Sequence, residues 1–389
     1  MIYYFFYYLL ALLLLEVIYF DVLKSSQKKY YLYFKLTWWI LTLVAILKYG
    51  IAPDTPNYMA AYSSMPPLQE FRLSTFDDYR FNPLCTLAFS FCKTISDNYI
   101  MLQILQGGLF FYSFYKILTH FGLNKFYLLL FFYLYTYFIS GMCTVRESFA
   151  VSFGNLAFTY LLRKEWIKYY LLTAIALGFH SGAIILLMFP LFLMLNPIKV
   201  RKYIILIVAL SIVLFYIIYH FNNEISLLLI FGDGSASRYL MNIGDNSFNL
   251  FAFLRNGLII IFVYFCVNTK TCSKEMSCML YMGVFYIMID ILSSSILPIA
   301  FRIMAYLIIP FLFVIKNIIE KLNSRKLIPC FLFIFLVYYQ PYARFIFQMT
   351  ELNKMDESGY DPYCSIISDD KSFYDRYINS ASASDYINK

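Results

Sequence analysis

Charge is what this chain has little of. Only 14% of its 389 residues are Asp, Glu, Lys or Arg, against 61% hydrophobic, and the mean hydropathy is +0.66. A soluble domain of this length needs a charged surface, so the composition excludes one and specifies an all-α polytopic membrane protein. Alternating segments of about ten residues are absent, which excludes a transmembrane barrel. There is no Walker loop, GxSxG elbow or HExxH pair, and the chemistries those motifs serve find no support. Cys266, Cys272 and Cys278 are spaced by six, which is not a zinc pattern. Most of the eight cysteines read as small apolar packers, and no metal or cofactor is expected.

The charge that is present is unevenly placed. Lys and Arg number 31 against 23 Asp and Glu, a net +8. The basic residues sit in short loops between apolar runs, the positive-inside signature, so nucleic acid is excluded as a partner. Aromatic residues are abundant, with 38 Tyr and 41 Phe. They read either as lipid-facing filler or, for some outer tyrosines, as platforms for sugar rings.

Orientation follows from the basic loops. Residues 2–23 read as an uncleaved first span, lacking a basic n-region and a small-residue cleavage site. Lys24, Lys28, Lys29 and Lys35 place the next loop in the cytoplasm, and a span over about 36–50 leads out to a polar loop, 51–80. The short run 81–95 is then an interfacial or re-entrant helix. Spans over 98–119, 125–141 and 144–162 follow, the last ending at the basic turn Arg163-Lys164. Residues 168–195 are too long for one straight helix and carry a Gly-Phe-His-Ser-Gly break, so they are expected to form a hairpin bent near His180. Spans over 203–220, 250–268, 276–293, 298–316 and 328–347 complete about ten crossings, with a second outer loop at 221–249. Residues 1–348 thus form the transmembrane domain and 349–389 a polar outer tail.

This topology collects the scattered polar residues on one face. Asp54 and Tyr58 lie in the first outer loop, Arg146 and Arg255 head their spans, and His180 sits at the break. Arg302, Asp290 and Arg344 lie near the outer ends of theirs. Arginines there oppose the charge bias, and an Arg at a helix centre costs about 2.5–3.5 kcal/mol on the insertion scale. An anionic ligand at the outer boundary gives them a reason, because guanidinium holds phosphate oxygens bidentately. Each also has a structural reading. Arg146 can pair with Glu147, Arg302 and Arg344 can reach head groups, and Asp290 can pair with an Arg. His180 can be a satisfied buried histidine, and Asp54, between two prolines, a turn residue.

The order of these motifs resembles the EpsG-like branch of Wzy-type polysaccharide polymerases, over about 50–365. Asp-x-x-x-Tyr (Asp54, Tyr58) is followed by Arg146 and by Phe179-His180-Ser181. A late Phe-Arg-Ile-x-x-Tyr (Phe301, Arg302, Ile303, Tyr306) precedes Pro362-Tyr363. The aspartate stands in Asp-Thr-Pro-Asn-Tyr where a Gly-Asp-Tyr-like form is more usual. The resemblance implies a GT-C-like helical fold and a bacterial inner-membrane glycosyltransferase. Such an enzyme joins undecaprenyl-diphosphate-linked repeat units of O-antigen, capsule or exopolysaccharide on the periplasmic face. Membrane lipid and a chain-length regulator protein are the further partners it implies. Arg146, Arg302 and Arg255 would hold the diphosphate, and Asp54 or His180 would be the base. Tyr58, Tyr306 and Tyr363 would contact substrate. An O-antigen ligase and a flippase or transporter of the lipid-linked repeat are the alternatives; a transporter should show mid-membrane charges and pseudo-symmetric halves.

Overall fold

The computed structural model describes residues 5–24, 27–49, 54–79, 81–220, 250–266, 273–295 and 301–321. The expected span 328–347, the tail, the loop 221–249, Arg344 and Tyr363 lie outside the described residues. Among those described, every regular element is helical, and the chain falls into two compact units, dividing between Ala183 and Ile184.

The first unit contains α1 (Phe5–Glu16), which continues as a π-helix over Val17–Val22, then α2 (Tyr30–Ile46), α3 (Thr55–Ser64), α4 (Thr75–Asp78), α5 (Pro83–Ile95) and α6 (Ile100–His120). It ends with α7 (Phe126–Phe132), which continues as a π-helix over Tyr133–Cys143, then α8 (Val145–Leu162) and α9 (Trp166–Phe179). A 3₁₀ stretch, Ser181–Met188, leads into the second unit with α10 (Phe189–Met194), α11 (Val200–His220), α12 (Leu250–Cys266), α13 (Lys274–Ser295) and α14 (Phe301–Lys321).

Among the described residues, four helices are long and apolar enough to cross a membrane: Phe5–Val22, Phe126–Cys143, Lys274–Ser293 and Arg302–Lys321. A fifth counts if Ser181–Met194 and Pro197–Val213, bent by 93°, make one broken span. Tyr30–Ile46, Pro83–Ile95, Trp166–Phe179 and Phe253–Phe265 are shorter apolar helices. The protein is therefore multi-pass, with fewer spans of that length and apolarity among the described residues than the ten expected. At 13 residues, α5 is below the length of a straight crossing. Large apolar side chains such as Leu15, Tyr31, Leu32 and Leu210 stay exposed, as lipid-facing positions do.

Two boundaries differ from the sequence reading. Residues 51–80 contain a helix, α3, with Pro56 in its first turn, where a missing N–H costs nothing. Tyr58 and Tyr62, one turn apart, are both buried and meet Phe89 of α5. Helix α2 starts at Tyr30, earlier than expected, because the Tyr30 hydroxyl donates to Asp21 Oδ1 at 2.6 Å. The other oxygen of Asp21 accepts the Tyr127 N–H at 2.9 Å and Tyr30 accepts that of Phe126, so together they cap the start of α7.

The abundant aromatics have a third role beyond filler and platform. Tyr133 donates to Phe6 O at 2.7 Å and Tyr137 to Leu41 O at 2.8 Å, from fully buried positions. Trp38 packs on Phe132, 5.2 Å between centroids. These hydroxyls tie helices together by hydrogen bonds in an apolar interior, where each phenol needs a partner.

Helices α8 and α9 form an antiparallel pair, joined at the basic turn. Lys164 takes positive φ, its N–H donates to Leu161 O, and that of Glu165 donates to Tyr160 O. That is a Schellman ending built without glycine. At the far end, a Cβ on Gly178 would fall 2.6 Å from Leu84 Cδ1, so α9 approaches α5 closely there. Gly178→Leu is expected to destabilise the solubilised protein by about 1–3 kcal/mol through overpacking. An unchanged melting temperature would show that this approach is not tight.

Candidate functional site

Arg146 is the second residue of α8, at the end opposite the basic turn. Its guanidinium hydrogen-bonds the Tyr58 hydroxyl and lies over the Phe81 ring, 5.4 Å from the centroid. The Asp54 carboxylate and Cys85 thiol lie within its electrostatic range. Tyr99 feels Tyr58, Cys85, Cys143 and Asp54, so it belongs to the same group. Burial pushes the Tyr58 phenol above its ordinary pKa while the cation pulls the other way. Tyr58 therefore stays neutral and accepts the bond from arginine.

Asp54 takes the N-cap position of α3 without its side chain capping the helix.

His180 belongs to the same end of the first unit. One turn on from Arg146, Phe149 stacks on Phe179 with centroids 4.8 Å apart, and Gly178 faces Leu84 beside Cys85. The helix stops there, as the glycine spacing predicts, with His180 in extended conformation. The Gly182 N–H donates to His180 Nδ1 at 3.0 Å. A neutral imidazole that accepts at Nδ1 carries its proton on Nε2.

Arg255 and Asp290 meet in the second unit, as a buried ion pair. Asn256 Nδ2 also donates to Asp290 Oδ2, at 2.8 Å. Ser293 donates to Asp290 O at 3.1 Å and touches the Met304 sulfur at 3.6 Å, while Tyr286 stacks on Phe311. This antiparallel packing of α13 on α14 puts Arg302, in the first turn of α14, at the same end as the pair. Arg302 is half-buried and Tyr306, one turn on, is buried. Asp290 thus has the arginine partner that its apolar setting calls for, and the charge of Arg255 is balanced by it. Among the described residues, no three His, Cys, Asp or Glu converge as a metal site needs.

A family profile decides the identity. It is that of the EpsG family, and it matches residues 31–365. The chain belongs to the EpsG family. This is a Wzy-like polymerase-type family, and membership carries a membrane polysaccharide-polymerase, glycosyltransferase-like activity. No curated protein and no solved structure matches the chain.

Within this EpsG-family chain, the first unit brings Asp54, Tyr58, Arg146 and His180 to one end, and the second brings Arg255, Arg302 and Tyr306 to one end. Sequence reasoning missed Phe81, Tyr99 and Lys48. The signal for Lys48 was present: a lone lysine closing an apolar run, on the side that the charge bias leaves poor in cations.

Proposed function

We propose that the protein is a bacterial inner-membrane polymerase acting at the periplasmic face, on oligosaccharide repeats carried by undecaprenyl diphosphate. The observation that carries this is the Arg146 cluster of the first unit, a half-buried guanidinium flanked by a carboxylate, a neutral phenol and an aromatic face, in a chain of this family. A hydroxyl oxygen of one lipid-linked repeat attacks the anomeric carbon of the growing chain. The bond from that carbon to the diphosphate oxygen breaks, and its electron pair leaves with the polyprenyl diphosphate. Arg146 stabilises that departing charge, and the acceptor proton passes to Asp54. His180 lends Nε2–H as a donor, the role that its tautomer favours over the base role. Arg302 is the anion-binding group of the second unit, whereas Arg255, neutralised by Asp290, holds the helix ends around it. Tyr58, Tyr306 and Tyr363 remain the proposed substrate contacts, and a GT-C-like arrangement of helices belongs to the same reading.

Deleting the gene and separating the surface polysaccharide on a gel tests it. Loss of the long-chain ladder with a single repeat retained is the expected result. Loss of every repeat would instead identify a ligase or a flippase.

A further inference from the structure

Side-chain hydrogen bonds crowd the junction that presents Arg146. The π-helix ends at Cys143, Thr144 takes φ −91° and ψ 89°, and α8 starts at Val145. The turn ends the regular run of helical bonds: Ile139 O keeps a π-type backbone partner, and the next three carbonyls are met by side chains. Ile139 O accepts the Thr144 N–H at 3.0 Å and Ser140 O accepts the Ser148 hydroxyl. Gly141 O accepts Gln106 Nε2 at 3.1 Å. Met142 O accepts the ammonium of Lys48. Ser148 also donates to Thr144 O at 2.7 Å, and Ser140 to Glu147 Oε1 at 3.1 Å.

Lys48 stands out in this set. It lies just past the end of α2, is only 1% exposed, and its own carbonyl accepts Gln103 Nε2 at 3.1 Å. Gln103 and Gln106, one turn apart on α6, thus hold Lys48 on one side and the π-helix end on the other. A buried ammonium is expensive, and a neutral donor would satisfy one carbonyl. What the charge adds is a stronger bond at the peptide four residues before Arg146.

We infer that Lys48 is a positioning residue, which clamps the end of the π-helix to α2 and α6 so that α8 presents Arg146 to a diphosphate. This rests on the proposed role of Arg146. Misplacing a reacting or binding group by about 1 Å costs up to roughly a hundredfold, so the clamp is expected to show in ligand affinity.

Farnesyl diphosphate is the probe, titrated against the full-length protein in nanodiscs for wild type, Lys48→Met, Lys48→Arg, Arg146→Gln and the double variant Lys48→Met/Arg146→Gln. Lys48→Met is expected to weaken binding by about tenfold or more, and Lys48→Arg, which keeps a charged donor, to recover part of it. The double variant should bind no more weakly than Arg146→Gln, because the two residues act through one contact. Binding of Lys48→Met within twofold of wild type, or losses that simply add in the double variant, would overturn the clamp. If Lys48→Met does not fold, Gln106→Met, which frees the neighbouring carbonyl without touching a charge, carries the same comparison. Arg146→Gln binding as well as wild type would overturn the functional reading itself, and the clamp with it.

Discussion

Arg146→Ala is expected to abolish long-chain polymer while the protein still accumulates in the membrane. Removing a preorganised donor aimed at developing charge typically costs about 10²–10³ in rate, and Arg146 is the cation that the first unit builds most carefully. It is held by the Tyr58 hydroxyl and stacked on Phe81, so its fork is oriented before any ligand arrives. Lysine cannot reproduce that fork, so Arg146→Lys should recover little of the rate. Tyr58→Phe removes the orienting oxygen but not the charge, and should leave an intermediate rate. The measurement is chain extension from a lipid-linked repeat in membrane vesicles, with protein level determined in the same samples. A full ladder from Arg146→Ala at normal expression would remove this residue from the mechanism.

The second large effect concerns the fold. Asp290→Leu leaves Arg255 buried and uncompensated, and breaking a buried pair from one side typically costs about 3–5 kcal/mol, a large part of a protein's net stability. Membrane-inserted protein should fall several-fold. Replacing both partners, Arg255→Met with Asp290→Leu, should restore much of it, because an apolar pair of similar volume is often neutral. Polymer should return together with abundance, since the pair carries no net charge for a diphosphate to read. Recovered abundance without polymer would instead give Arg255 a direct part in the reaction.

Much of the molecule was legible in its sequence, and where it was not the reasons are specific. The break at His180 follows from two glycines around Phe-His-Ser in an otherwise apolar run. The end of α8 follows from Arg163-Lys164, which no membrane interior accommodates. Helix α3 was hidden because the polar and acidic composition of 51–80 outweighs one proline and two tyrosines a turn apart. Among the described residues, four or five spans are long and apolar enough to cross, because an apolar run in the sequence need not keep that hydropathy along one straight helix. Lys48 carried a local signal, a lone lysine closing an apolar run, but its partner, Met142 O, lies 94 residues away, and no local pattern names it.

The sequence by itself determined the solvent the protein lives in, the approximate extent of most helices, and the placing of Arg146 and His180 opposite the basic turn. Those depend on transfer free energies and backbone preferences, which are summed residue by residue along the chain. Tertiary structure alone decided that Arg255 is balanced by Asp290, and that Lys48 and two glutamines complete the turn before Arg146. Each depends on which helix faces which, and at what register. In an apolar interior a polar group must find its partner wherever packing puts one.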